Sequence, residues 1–417
     1  MTELSDRDYR RDFYRAVEQR QATDERQGQF YVPIYDNPAL KPYDIVSTLK
    51  DGIEFSVGES VQILSGFRGS GKTSELMRLR DELKRDGYAV VFLDIEDYFN
   101  TELPVEGAAF ELALAAGFAE AAQAQQALKP DGPDFFGRLR NFFSRIDVEV
   151  GAAVGPLDIK ASLRDDESFR AKVAAALRNS RRKFREELHT FFEDSAAAIN
   201  NPLGVVFIVD SIDHFRGRAE RFHEVRESVE MLFSEGAEDL KLPRLNVIYT
   251  VPVYVQPALG LRRDILNIKV ADKDGSPFEP GMGALRAVLA KRAPDGDVHR
   301  LLGPYVDRVL NHSGGLIRDL LRLTSEIALV ATAIPVSETE LLRAESTVRA
   351  NMQLSLSQEQ VEILQRVRDS NELIPTRDGW SDAIDLMARG AVLRYPNGEQ
   401  PWFGVHPLLM PLLDDES

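Results

Sequence analysis

The 417-residue chain is 43% hydrophobic and 28% charged, carries a net charge of −16 and contains no cysteine. These values exclude disulfides, thiolate metal sites and thiol catalysis, and they argue against a surface that coats nucleic acid nonspecifically. The length predicts two or three domains, and no run approaches the roughly 18 consecutive apolar residues of a membrane span. The six histidines lack metal-ligand spacing. The first residues show no basic-then-apolar leader pattern, so a cytoplasmic protein is expected.

Residues 1–45 form a charged extension in which Tyr9, Phe13 and Tyr14 recur at helical spacing. This predicts an amphipathic helix that packs on the body or on a neighbouring subunit. The stretch Tyr43 to Val46 leads into the next domain.

From residue 46 to 281 the pattern alternates strand and helix, which predicts an α/β domain with a parallel sheet. Strands are expected at 61–65, 89–95, 204–210, 245–251 and 266–270. The runs 89–95 and 205–210 are almost continuously apolar, as expected of strands covered on both faces.

The first strand ends in Gly66-Phe67-Arg68-Gly69-Ser70-Gly71-Lys72-Thr73, followed by Ser74 and a helix-like run. This is the phosphate-binding pattern G-x-x-x-x-G-K-[ST] in its required strand–loop–helix setting. The glycines let backbone N–H groups turn around a β-phosphate, Lys72 reaches the β- and γ-oxygens, and the Thr73 hydroxyl binds Mg²⁺. The helix that follows points its positive end at the same anion. ATP is the expected nucleotide, because the Asn-Lys-x-Asp segment of guanine sites is absent. Mg²⁺ carried with ATP is the only metal implied.

A second carboxylate on a neighbouring strand should complete the Mg²⁺ site, and Asp210 at the end of the third strand is the candidate. Ser211 follows it and offers no carboxylate. Asp213 is therefore expected to orient the attacking water, with Asp94 and Glu96 as the other acids placed to face the γ-phosphate. Thr250, ending the fourth strand, is placed to sense that phosphate.

Between the second and third strands lies an insertion at about 130–165, where 146–150 and 157–160 read as the arms of a hairpin. One long helix is expected over 167–198. Its run Arg178 to Arg185 is the most basic in the chain and is the place where DNA would be contacted. Residues 282–351 read as a helical lid. Residues 352–417 read as two helices and a hairpin about Asn397-Gly398, the pattern of a winged helix. This last segment, from residue 358, carries five arginines and no lysine against eleven acids. That balance favours a protein partner over duplex DNA.

The order of these parts resembles AAA+ P-loop ATPases of the origin-recognition and STAND branch. The runs Gly69 to Leu76 and Val209 to Asp213 are similar to those of prokaryotic members linked to antiphage defence. The resemblance implies an additional-strand P-loop fold with a lid and a C-terminal winged helix. It implies a homo-oligomer with ATP between subunits, and the function expected first is a regulatory switch that controls a protein effector. By the same analogy Arg262 and Arg263, on a loop before the fifth strand, would supply an arginine finger. Arg318, one turn into the helix after Gly314-Gly315, would reach the γ-phosphate. The usual glutamate after the metal aspartate is Ser211 here, which implies slow turnover. Two alternatives stay open: a DNA-loading or remodelling ATPase, and an ATP-stabilised scaffold that does not hydrolyse.

Overall fold

The computed structural model describes residues 5–18, 28–126, 133–145, 156–217, 221–260, 262–353, 356–376, 379–398 and 400–414. The chain divides into two compact units: residues 45–65 with 75–264, and residues 1–44 with 66–74 and 265–417. Seven strands are described: β1 (Ser60–Gly66), β2 (Ala89–Asp94), β3 (Val205–Asp210), β4 (Leu245–Val251), β5 (Arg262–Ile265), β6 (Val392–Tyr395) and β7 (Trp402–Val405).

The first unit is built on an α/β sheet of order β2-β3-β4-β1-β5. The β1–β4, β3–β4 and β2–β3 pairs are parallel. Strands β3 and β4 are buried at every residue, which is why their sequences lack alternation. The helix Gly107–Gln126 crosses the sheet closely: a methyl at Gly117 would sit 2.6 Å from Leu93 Cδ1. Its alanine-rich sequence is thus a packing requirement. Phe118 of that helix stands edge-on to Phe207 of β3 at 5.1 Å, and Phe135, Phe191 and Phe192 surround it. Such aromatic pairs add about 0.5–1.5 kcal/mol each beyond their burial.

Three expectations need correction in this unit. The fifth strand is β5 at Arg262–Ile265, not 266–270. Arg262 and Arg263 therefore lie in the strand itself. The long helix is two, Glu167–Asn179 and Arg181–Ile199, separated at Ser180, whose φ of −132° is not helical. This break interrupts the basic run. The hairpin's second arm is helical, Pro156–Asp165, opening with proline where a helix needs no N–H. The first arm and the expected turn, 146–155, lie outside the described residues.

The second unit holds two hydrophobic cores. One joins the N-terminal helix Asp6–Glu18 to the helices of the lid, and the other is formed by the winged helix. Tyr9, Phe13 and Val17 are fully buried. The Tyr9 hydroxyl donates to the Asp297 carbonyl at 2.6 Å, and Ser325 Oγ donates to Glu18 Oε1 at 2.6 Å. The lid comprises Glu279–Ala290, His299–Leu302, Val306–His312, Ile317–Val330 and Glu338–Gln353.

The winged-helix segment begins at Gln358–Ser370 behind a capping box, in which Ser357 and Gln360 satisfy each other's backbone N–H groups. It continues through Trp380–Arg389 and the antiparallel β6–β7 pair. The pair Tyr395↔Trp402 closes the strands around six residues, so Asn397-Gly398 does not form a two-residue turn. The rings of Tyr395 and Trp402 lie 4.8 Å apart between centroids at the end of the pair.

Among the described residues no helix is long and apolar enough to cross a membrane.

Candidate nucleotide site

The phosphate loop, residues 66–74, belongs to the unit that also holds the lid. Gly69 and Gly71 have φ of 87° and 99°, a region that side chains disfavour. The turn is closed by Ser70 N–H donating to the Phe67 carbonyl at 3.1 Å. Lys72 is 5% exposed, and its ammonium donates to the carbonyls of Gly66 at 2.7 Å and Phe67 at 2.9 Å. The charge is thereby held inside the curl of the loop. Thr73 and Ser74 sit in the first turn of the helix Lys72–Arg85, where free N–H groups and the helix dipole favour an anion. Arg68 is exposed at the tip.

Arg318 lies against this loop. Its backbone N–H donates to the Gly69 carbonyl at 3.2 Å, and a methyl at Gly69 would overlap the Arg318 β-carbon. The guanidinium is held by the next residue: Nε donates to Asp319 Oδ1 at 3.0 Å and Nη2 to Oδ2 at 3.2 Å. Asp319 is 3% exposed, and His406 of the winged helix, fully buried, brings Nε2 to 3.7 Å of its Oδ2. Burial opposes ionisation of Asp319. The bonds and charges of His406 and Arg318 outweigh it and hold the carboxyl well below the usual range.

Gly314 and Gly315 prepare the turn before this helix with φ of 60° and 77°. Gly315 also admits the Ile268 backbone, and the Gly314 carbonyl accepts from the Tyr395 hydroxyl at 2.9 Å. The sequence marked Arg318 but not Asp319 or His406. A buried acid beside an arginine in a helix has no periodic signature.

The acids lie at the carboxyl ends of the parallel strands in the other unit. Asp94 and Asp210 end β2 and β3 and are paired in register. Asp210 is 1% exposed, and its Oδ1 accepts the Ser211 N–H at 2.8 Å. Ser211 adopts φ 70°, a left-handed conformation that a non-glycine residue holds only at a cost.

Asp94 is exposed as a residue, yet its carboxyl is partly desolvated. That partial desolvation raises it above the ordinary range and the charges of Glu96 and Asp97 add to the effect. Hydrogen bonds from the Ser211 hydroxyl and the Glu96 N–H oppose it. Thr250, fully buried, accepts the Ile212 N–H on Oγ1 at 3.3 Å, which ties the end of β4 to the loop after Asp210.

Asp213 sits in the 3-10 turn Ile212–His214. Its carboxylate lies 3.9 Å from His214 Nε2; partial burial, and after it the charges of Glu230 and Asp213, disfavour ionisation of the half-buried Tyr254. His214 Nδ1 lies 2.8 Å from Glu96. Arg262 is engaged within its own chain, with Nε on Asp264 Oδ1 at 2.7 Å and Nη1 on the Val255 carbonyl at 2.8 Å. Arg263 is half-buried and has no such internal pair among the described residues.

The basic run is largely neutralised. Arg181 pairs with Glu111 at 2.8 Å and with Asp239, Arg185 pairs with Asp239, and the exposed Arg182 pairs with Glu186 at 2.8 Å. Burial pushes the Glu111 carboxyl up to about 7 against the opposing pull of Arg181 and Arg185.

No protein-family model matches the sequence, and no curated protein matches it. Among solved structures the chain is similar to Drosophila ORC bound to DNA, at 13% identity over 95% of this chain and 89% of that one, TM-score 0.38. It is similar to Aeropyrum pernix ORC1 in complex with DNA, at 12% over 91% and 93%, TM-score 0.38. It is also similar to Aeropyrum pernix ORC2 in its ADPNP–ADP complexes, at 12% over 96% of each chain, TM-score 0.40. At these values nothing about substrate or partner follows from the likenesses. The P-loop architecture stands on the loop itself and on the strand order of the sheet.

Proposed function

We propose that the protein is an ATP-binding, Mg²⁺-dependent regulatory ATPase of the AAA+ type that assembles with ATP between subunits and controls a protein effector. The observation that carries this reading is the loop at 66–74 with Lys72 curled into it and Arg318 bonded to its backbone. A loop so built binds phosphates, and an arginine seated on it gives the lid a reason to respond to them.

Thr73 and Asp210 would hold the metal. Among the described residues no group of three or more histidines and acids converges on a metal position. The donors present, one hydroxyl and one carboxylate, suit a Mg²⁺ that takes its other ligands from phosphate oxygens and water. Arg263 is the better of the two arginines for a neighbouring subunit's nucleotide, since Arg262 is already engaged. A role in prokaryotic conflict systems such as antiphage defence rests on the motif resemblance.

DNA loading is the weaker reading. Arg181 and Arg185, its best phosphate contacts, are bound to internal acids.

The test is steady-state ATP hydrolysis and size in solution, with ATP and Mg²⁺, for the wild type and Lys72→Ala. Turnover and a nucleotide-dependent rise in mass, both lost in the variant, are expected. A monomer under all conditions would remove the assembly reading. Tight ATP binding without turnover would leave the scaffold, and stimulation by duplex DNA would restore the loader.

A further inference from the structure

The phosphate loop recognises a polyphosphate, which every nucleoside triphosphate carries, so a choice of base must come from other residues. One buried group in the same unit has that capacity. Asn267 is 1% exposed, and neither Oδ1 nor Nδ2 has a hydrogen-bond partner among the described residues. The other buried carboxamides described, Gln62, Asn246 and Gln360, each bond at least once. An amide bare at both ends is costly to bury, so its place calls for a polar ligand.

Its position follows from the chain around it, all within the unit that carries the loop. The Asn267 N–H donates to the Arg394 carbonyl at 3.1 Å and the Ile268 N–H to the Gly315 carbonyl at 3.3 Å. Successive N–H groups turn to different neighbours, as along an extended chain, where alternate side chains take opposite faces. Ile268 and Val270 enter the lid core. Asn267 shares the other face with Ile265, whose Cβ lies 3.2 Å from where a Gly66 methyl would stand. Ser70 Oγ lies at the same distance from that point, and it too is buried without a partner among the described residues. Two unpaired polar side chains therefore flank the start of the loop.

A carboxamide carries no charge to match a phosphate, which Lys72 and the loop already serve. It offers one acceptor beside one donor. Adenine presents the complementary pair, N6–H and N7, whereas guanine and hypoxanthine present two acceptors, O6 and N7, on that edge. We infer that Asn267 reads the base of the bound nucleotide, accepting from N6–H and donating to N7 of adenine. This rests on the ATP-binding reading above and gives it a specificity-determining residue.

The experiment measures, by isothermal titration, the affinity of wild type and Asn267→Leu for ATP, ITP, 7-deaza-ATP and 2′-deoxy-ATP. The melting temperature of each chain is taken free of nucleotide. Leucine keeps the branched shape and removes both polar atoms. Wild type is expected to bind ITP and 7-deaza-ATP about 10- to 100-fold more weakly than ATP, the scale of one bidentate contact to a base. In Asn267→Leu the affinity for ATP should fall to that of the two analogues, and the ratio of ATP to 2′-deoxy-ATP should not change. The free variant should melt no lower than wild type, because an unpaired amide has given way to an apolar group.

An amide that serves only to hold buried water would give a lower melting temperature with the nucleotide ratios unchanged, and that result overturns the inference. So does wild type that binds ATP, ITP and 7-deaza-ATP alike, a comparison that needs no variant. A change confined to the 2′-deoxy-ATP ratio overturns it too, by assigning Asn267 to the ribose. Wild-type binding that Lys72→Ala abolishes, with no preference for adenine, removes this inference and leaves the phosphate reading standing. No binding by the wild type removes both.

Discussion

The phosphate loop and the strand-end acids illustrate two ways of building a site. The loop is local: within nine residues the glycines set the curl, Lys72 fills it, and the helix start supplies the field. The acids are assembled across strands, where Asp94 and Asp210 meet only because β2 and β3 pair in a particular register. Local geometry is constrained by backbone chemistry and tolerates little variation. Cross-strand geometry lets a carboxylate move from one strand to its neighbour with the same reach.

The comparison predicts that loop substitutions act on affinity and strand-end substitutions act on turnover. Asp210→Ala should give the largest effect, a loss of about 10³ in kcat from a misplaced metal, with ATP affinity changed far less than in Lys72→Ala. Comparable losses of affinity in both would break the division. Arg318→Ala should lower the preference for ATP over ADP about tenfold, the scale of one charge-assisted hydrogen bond. Isothermal titration with the two nucleotides reads this, and an unchanged ratio would remove Arg318 from the γ-phosphate.

A third test concerns stability. Glu111 titrates near 7 in the folded chain because burial opposes its charge. Its folded value lies above the unfolded one, so the stabilisation is fully present below about pH 4.5 and is lost as pH rises through about 7. The span is on the order of 3 kcal/mol, with the opposing pull of Arg181 and Arg185 already included. Glu111→Gln should flatten the melting temperature of the full chain across that window, relative to wild type. The smallest contrast lies within the basic run. Arg181→Ala should cost about 2 kcal/mol by leaving the buried Glu111 without its ion-pair partner. Arg182→Ala should leave the melting temperature unchanged, because that side chain stands in solvent.

Much of the architecture was legible because it depends on periodicity and on backbone chemistry. Four of the five sheet strands fall within a residue or two of their expected limits. The fifth strand misled because the run 266–270, Leu266 to Val270, is more apolar than Arg262–Ile265. Its burial serves the lid core, where Ile268 and Val270 lie, rather than the sheet. Pro156–Asp165 misled because four alternating residues fit one face of a helix as well as a strand. Within the site, Lys72, Thr73 and Asp210 declared themselves through motif and strand end. Asp319 and His406, 87 residues apart by subtraction of their numbers, could not, because only the folded lid and wing bring them together.

Gly69 has a consequence for how variants of the loop are interpreted. Its left-handed backbone would admit only glycine in any such loop, yet here a second demand falls on the same hydrogen atom, because Arg318 occupies the space a methyl would take. The residue is therefore a spacer gauge as well as a hinge: it sets how near the arginine-bearing helix can come. A Gly69→Ala chain would hold that helix off by the thickness of one carbon. Its defect would be read as weak phosphate binding when part of it is a lid that cannot seat.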